Sequence, residues 1–236
     1  MDELIAQIVN ALQTRTTLPK FSNSLTVTEA YEIQHHVVSN LGSDSVVGIK
    51  AGLTSKGSQE TFGISHPVLG RIFEFGRLFS GTSFNETRGG FLECEIGVRL
   101  DESRSPISVC PVIELPRLAF RNPDDALGPN LIACNVAADR YIVGDCTEIP
   151  RSFAERSVTL SRDREILCTA SLSEPLGGPL DSLAWMQTEV KARDIAVPDG
   201  ALMLTGACGG IHPARPGKYV ADYGSLGRVE FEVLVD

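Results

Sequence analysis

Glu93 and Glu95 stand one residue apart in the run Phe91 to Leu100, where from Leu92 onward the even positions are apolar and the odd ones polar or small. On a strand this period of two sends Leu92, Cys94, Ile96, Val98 and Leu100 into one layer and both carboxylates onto the other face. Two like charges so close repel unless a cation lies between them, and hard divalent ions such as Mg2+ take oxygen ligands of this kind. Two readings stand: a metal site, or the ordinary wet face of an antiparallel sheet. Glu114, the single carboxylate in the apolar run Val109 to Leu115, is the candidate third ligand and shifts the balance toward a metal.

Lys50 is the second chemical feature, a lone lysine in an apolar run between Gly48 and Gly52. Lysine is seldom buried without a partner. Either its stem lies along the strand and the ammonium reaches solvent, or the glycines let the backbone approach a ligand while Lys50 pairs with an anion or moves a proton. Among the four histidines, His35 and His36 fall on a helical stretch and read as surface or structural residues. His212 lies in a segment flanked by glycines and prolines; if that loop reaches the site, His212 suits proton transfer and Arg215 suits a distal carboxylate.

These groups must be positioned by a framework whose periods change along the chain. Leu4, Ile5, Ile8, Val9 and Leu12 recur at helical spacing, as do Ala30, Ile33, Val37, Val38 and Leu41. The second helix opens on Thr26-Val27-Thr28-Glu29, a capping box, and Gly42 is placed to stop it. Strand-like runs follow at 46–49, 91–100, 109–115, 131–133, 141–143, 158–160, 202–205 and 229–235, interrupted by a late helix over 182–193 with Asp181 as its N-cap and Leu183, Ala184 and Val190 on its inner side. No linker, repeat or low-complexity tract divides the chain, which predicts a single catalytic domain over 1–236, with a helical N-terminal portion at 1–45 and a β-rich metal-binding core at 46–236.

The chain of 236 residues is 42% hydrophobic, enough for a full core, and carries 21 Lys and Arg against 30 Asp and Glu for a net charge of -9. That balance, without a basic run, gives no electrostatic support for a nucleic-acid or membrane surface. The N-terminus lacks the basic flank and apolar core of a signal peptide, and no apolar stretch is long enough to span a bilayer, so the expectation is a soluble cytoplasmic protein. The six cysteines, at 94, 110, 134, 146, 168 and 208, have no C-x-x-C spacing and read as buried free thiols.

Taken in order, these segments resemble the 2-keto-4-pentenoate hydratase and 4-oxalocrotonate decarboxylase family, within the fumarylacetoacetate hydrolase-like superfamily. The resemblance runs through Ala30-Tyr31-Glu32-Ile33-Gln34, Gly48-Ile49-Lys50-Ala51-Gly52-Leu53-Thr54-Ser55, Glu93-Cys94-Glu95, Glu114 and Leu131-Ile132-Ala133-Cys134-Asn135. It continues through Leu176-Gly177-Gly178-Pro179-Leu180, Ala184-Trp185, Leu204-Thr205-Gly206-Ala207 and Ala221 to Gly227. It implies an α+β fold, a mixed and mostly antiparallel β-sandwich or rolled barrel with an N-terminal helical portion. It also implies Mg2+ or Mn2+ on Glu93, Glu95 and Glu114, Lys50 as the active-site lysine, and Leu53 and Thr205 beside the carboxylate of a small anionic 2-oxo acid.

The implied activity is hydration of a 2-keto-4-pentenoate-like acid, with decarboxylation of a vinylogous 2-oxo acid as the alternative, then acylpyruvate-type C–C hydrolysis or a noncatalytic partner role. Homo-oligomers and association with a neighbouring pathway enzyme are further implications. The chain departs from the family pattern at Val68, Cys134, Ala137 and Gly178, where polar groups are lost, and the 19 positions from Glu95 to Glu114 are fewer than in the family.

Overall fold

The computed structural model describes residues 1–21, 24–85 and 89–235. Two amphipathic helices open the chain, α1 (Asp2–Gln13) and α2 (Val27–Gly42), the latter with the Thr26/Glu29 capping box formed. Next come β1 (Val46–Gly52), the short α3 (Lys56–Thr61), β2 (Val68–Phe73), β3 (Arg77–Phe79) and β4 (Thr82–Asn85). The long hairpin β5 (Phe91–Leu100) and β6 (Pro106–Leu115) leads to α4 (Gly128–Ala133), β7 (Arg140–Val143), β8 (Ser157–Arg162) and β9 (Glu165–Ser171). The chain closes with α5 (Pro179–Ala192), β10 (Leu202–Leu204), β11 (Cys208–Pro213), β12 (Gly217–Asp222) and β13 (Arg228–Leu234).

The strands form two sheets. The larger runs β2-β1-β10-β5-β6-β7-β3, with β11 also on β5; the smaller runs β4-β13-β12-β8-β9. Pairing is mostly antiparallel, with β1·β10, β3·β7 and β4·β13 parallel. One core lies on the face of β5 that carries Leu92, Cys94, Ile96, Val98 and Leu100, closed by Leu183, Met186 and Val190 of α5 and by Tyr219, Val229 and Phe231 of the smaller sheet. A second joins α1 and α2 to α4 and Val68. Gln34 fastens this helical layer to the sheet, donating to Leu69 O and Ile132 O at 2.8 and 2.9 Å, while Leu69 N donates to the Tyr31 hydroxyl at 2.9 Å.

Several expectations are corrected. Residues 131–133 belong to helix α4, not to a strand: an apolar run this short does not distinguish the two, and Pro129 in the first turn favours the helix. Helix α5 starts at Pro179, capped by Gly178 with φ 136°, so Asp181 lies inside its first turn; Ala184 faces solvent and Met186 takes the inner position. Cys110 and Cys146 form a disulfide with Cα atoms 4.2 Å apart, because β6 and the segment after β7 pair at Val109 and Thr147; a separation of 36 residues hides that adjacency in the sequence. Cys94, Cys134 and Cys208 are buried thiols, and Cys168 is half-buried. None of the helices is long and apolar enough to cross a membrane among the described residues.

Gly48 answers to packing, not to a ligand. A Cβ there would lie 1.9 Å from Leu202 O on the neighbouring parallel strand. Relief requires β1 and β10 to separate, so Gly48→Ala should lose about 2–3 kcal/mol of stability by urea denaturation; a loss below about 0.5 kcal/mol would show that the strands yield freely.

Candidate metal centre

In the β5·β6 ladder Glu93 lies directly opposite Glu114, and Glu95 is two residues further along β5. Directly opposed residues share a face, as do residues two apart, so the three carboxylates converge. One oxygen from each lies within 4.8 Å of the others. The face is not wet: Glu95 is 0% and Glu114 1% exposed, and Glu93 is half-buried at its edge.

The ladder itself is broken where the site needs room. β10 pairs with β5 up to Leu204 opposite Gly97, and β11 resumes at Cys208 opposite Cys94. Between them Thr205 directs both its N–H and its hydroxyl to Ile96 O, and Gly206 N donates to Glu95 Oε2 at 2.9 Å. Gly206 is at φ 104° and a Cβ would lie 2.6 Å from Thr54 Cγ2, so this position requires glycine. On the ladder's other side the Tyr223 hydroxyl is wedged between the strands, accepting from Glu95 N at 3.1 Å and donating to Val112 O at 2.6 Å.

Lys50 reaches the same cluster from β1. Its Nζ lies 2.6 Å from Glu114 Oε1 and donates to Val136 O at 3.0 Å, and the residue is only 2% exposed, so it does not snorkel. Burial works to lower its pKa, but the charges of Glu114, Glu93 and Glu95 together outweigh it and the net shift is upward, which keeps the ammonium charged. The carbonyl it uses belongs to an unusual turn: Asn135, Val136 and Ala137 have φ of 54°, 54° and 56°. Three successive non-glycine residues in the left-handed region store strain. The Asn135 amide holds them by accepting from Arg71 N and donating to Arg71 O, at 2.7 and 2.8 Å.

Three carboxylates against one ammonium leave two uncompensated negative charges. Glu95 Oε1 and Glu114 Oε2 are buried without a hydrogen-bond partner, which is costly unless something cationic or a proton takes them. An all-oxygen set with that residual charge fits a hard divalent ion. Without one, protons substitute: burial, and next the Glu114 charge, push the Glu93 carboxyl up to about 7, and the same two causes raise Glu95 well above the usual range.

A cavity of about 350 Å3 opens beside Glu93. Leu53 lines it at φ 54°, turning the chain out of β1 toward Thr54, Ser58, Thr61 and Phe62 of the α3 segment. Gly52 also lines it, although a Cβ there would meet Val136 Cγ1 at 2.5 Å, so close protein packing accounts for that glycine. Three other sequence candidates are placed elsewhere. The Thr205 hydroxyl is committed to Ile96 O. His212 pairs with Leu92, so it faces away from the carboxylates, and its Nε2 lies 3.1 Å from Gly209 O; its neighbour Ile211, opposite Glu93, lines the cavity instead. Arg215 is solvent-exposed and outside the lining. The roles of Tyr223, Gly206 and Glu174, a second carboxylate at the cavity wall, carried no signal in the sequence, because each depends on contacts between distant segments.

The raised Glu93 pKa makes stability depend on pH with a definite sign. Between about 4.5, the ordinary value, and about 7 the folded metal-free chain holds a proton that the unfolded chain has released. Stability therefore falls as pH rises through this window, by at most a few kcal/mol. Thermal denaturation with a chelator from acid to neutral pH should show that slope, reduced in Glu93→Gln and reduced also by saturating Mg2+, which binds the deprotonated cluster. Identical slopes in the wild type, the variant and the Mg2+-loaded protein would contradict this account of the cluster.

No protein-family model matches the chain. It is 28% identical over 215 residues to a 2-keto-4-pentenoate hydratase from Paraburkholderia xenovorans (strain LB400), covering 79% of this chain and 76% of that one. It is 25% identical over 228 residues to a 4-oxalocrotonate decarboxylase from a Pseudomonas species, covering 89% and 88%. The structure of 4-oxalocrotonate decarboxylase from Pseudomonas putida G7, complexed with magnesium and adipate, superposes with a TM-score of 0.88 at 22% identity over 98% of this chain and 96% of that one. By sequence the chain is a homologue of the 2-keto-4-pentenoate hydratases and 4-oxalocrotonate decarboxylases, and its fold is that of the fumarylacetoacetate hydrolase-like proteins.

Proposed function

We propose that this chain is a divalent-metal-dependent lyase acting on a 2-oxo or 2-hydroxydienoic acid, and that it adds water to a 2-keto-4-pentenoate-like substrate. The observation that carries the reading is the buried cluster of Glu93, Glu95 and Glu114 with Lys50 as its paired ammonium, set at the edge of a cavity. A divalent ion held by the three carboxylates would supply a Lewis acid and a two-point anchor for a carboxylate and its adjacent 2-oxo oxygen.

The protein's own groups do the rest. An ammonium has three donors, and Lys50 commits two of them to Glu114 and Val136 O. The third is available to move a proton. For a 2-hydroxy-2,4-dienoate the enol proton leaves O2, a proton is delivered to C5, and water then adds its hydroxyl to C4 and its proton to C3, giving a 4-hydroxy-2-oxo acid. Lys50 is the group suited to the transfer between O2 and C5. The hydroxyls of Thr54, Ser58 and Thr61 along the cavity are suited to hold the water, and Leu53, Phe62 and Ile211 supply the apolar part of its wall.

Decarboxylation is the second reading, favoured by one observation. Val68, Cys134 and Ala137 are all buried apolar or thiol positions, at 0%, 0% and 3% exposure, and supply no general base. Loss of CO2 needs an electron sink and a proton donor but no positioned water.

Lys50→Ala should cut turnover at least about a hundredfold while the chain still binds Mg2+, and Lys50→Arg should fail as well, since a guanidinium does not release a proton at neutral pH. Product analysis by NMR in D2O, with Mg2+ and a 2-hydroxy-2,4-dienoate, should show the 4-hydroxy-2-oxo acid carrying deuterium at C3 and C5. Stoichiometric CO2 from a vinylogous 2-oxo diacid, with no hydrated product from any dienoate, would install the second reading. Wild-type turnover in Lys50→Ala would remove the lysine from the chemistry.

A further inference from the structure

The sequence offers a cation for a second substrate carboxylate, Arg215, and the fold does not deliver it. The residues lining the cavity beside Glu93 include no lysine, arginine or histidine among the described residues. The cavity's second charged member is another acid, Glu174, in the loop between β9 and α5. Its carboxylate is clamped in place: Oε2 accepts from Gly209 N at 2.8 Å and Oε1 from Ser171 N at 3.2 Å. Those bonds tie the loop to β11, whose residues Gly210 and Ile211 form the adjoining wall. The rest of the lining is apolar or hydroxylic, Leu53, Phe62, Thr54 and Thr61 among it.

We propose that Glu174 is a specificity-determining residue that restricts the cavity to 2-oxo acids with an uncharged tail, excluding those that carry a second carboxylate. The proposal rests on the 2-oxo acid reading above. For a substrate whose carboxylate end is held at the Glu93, Glu95 and Glu114 cluster, the space open to the tail is this cavity, which Glu93 and Glu174 both line. Glu174 is solvent-exposed, so a terminal carboxylate there would keep part of its water but meet a like charge held by two backbone N–H groups, with no cation in the described cavity lining. A terminal methyl, vinyl or hydroxyl would meet Leu53, Phe62 and the threonine hydroxyls without that cost. Like charges sharing one small, partly solvated cavity disfavour the diacid by about tenfold at low salt. The same restriction separates the two lyase readings, since a vinylogous diacid needs a carboxylate at its far end and a simple dienoate does not.

The test compares two probes of equal carbon count, 2-oxohexanoate and 2-oxoadipate, titrated calorimetrically into the Mg2+-saturated full chain at low and high salt. Wild type should bind 2-oxohexanoate about tenfold more tightly at low salt. The preference should shrink as salt rises, which a purely steric wall would not show. Glu174→Gln should narrow the preference to about threefold or less, and Glu174→Lys should reverse it. Equal or tighter binding of 2-oxoadipate to wild type, or a preference indifferent to salt and to both substitutions, overturns the proposal alone. Failure of both acids to bind while Mg2+ still binds removes the 2-oxo acid reading, and the proposal with it.

Discussion

The burial of three carboxylates around a single ammonium is the constraint on which the remaining structure depends. Glu95 and Glu114 are almost wholly removed from solvent, and Lys50 neutralises only one charge of the set. Such an arrangement is not a stabilising core feature, because the desolvation cost of each charge is met by pairing only in part. It is tolerable if a divalent ion, or failing that a proton on Glu93 and Glu95, completes the balance. The cluster thus stores an affinity for cations that the fold maintains at the expense of stability.

Much of the surrounding architecture serves to keep that cluster in one geometry. The lapse between β10 and β11 frees Gly206 N to bind Glu95, and the Tyr223 hydroxyl holds β5 and β6 in register where the carboxylates project. The left-handed turn at Asn135 to Ala137 carries Val136 O to the Lys50 ammonium, and the Asn135 amide locks it to β2. Removing such supports would loosen ligand positions without touching a ligand, as is general for groups that orient metal-binding side chains. The helical layer acts at one remove: α2 fixes β2 through Gln34 and Tyr31, and β2 in turn carries the asparagine's partner.

What was legible in the sequence was what local periodicity and composition encode. The Glu93/Glu95 alternation predicted a shared face, and the hairpin supplied it with Glu114 opposite Glu93. The capping box and Gly42 bounded α2 as read. The failures lie where the deciding contact is distant in sequence. The disulfide between Cys110 and Cys146 depends on the pairing of Val109 with Thr147. His212 is turned from the site by its register with Leu92, and a shift of one residue would have reversed that. Of the two readings open for the Lys50 run, the ligand-approach role of Gly48 and Gly52 gives way to packing, since Leu202 O and Val136 force glycine at these positions. Residues 131–133 fold as helix α4 and not as a strand, a distinction that three apolar residues without a period do not encode.

The proposed chemistry is one of positioning: a carboxylate cluster paired with one ammonium, and beside its Glu93 a cavity lined by hydroxyls, apolar groups and a second acid, Glu174. Its most direct test is anomalous diffraction from crystals of the full chain soaked with Mn2+. The account predicts one Mn2+ peak bonded to a carboxylate oxygen of each of Glu93, Glu95 and Glu114, beside an unmoved Lys50. No peak at that cluster under Mn2+ concentrations that fill surface carboxylate sites would contradict it.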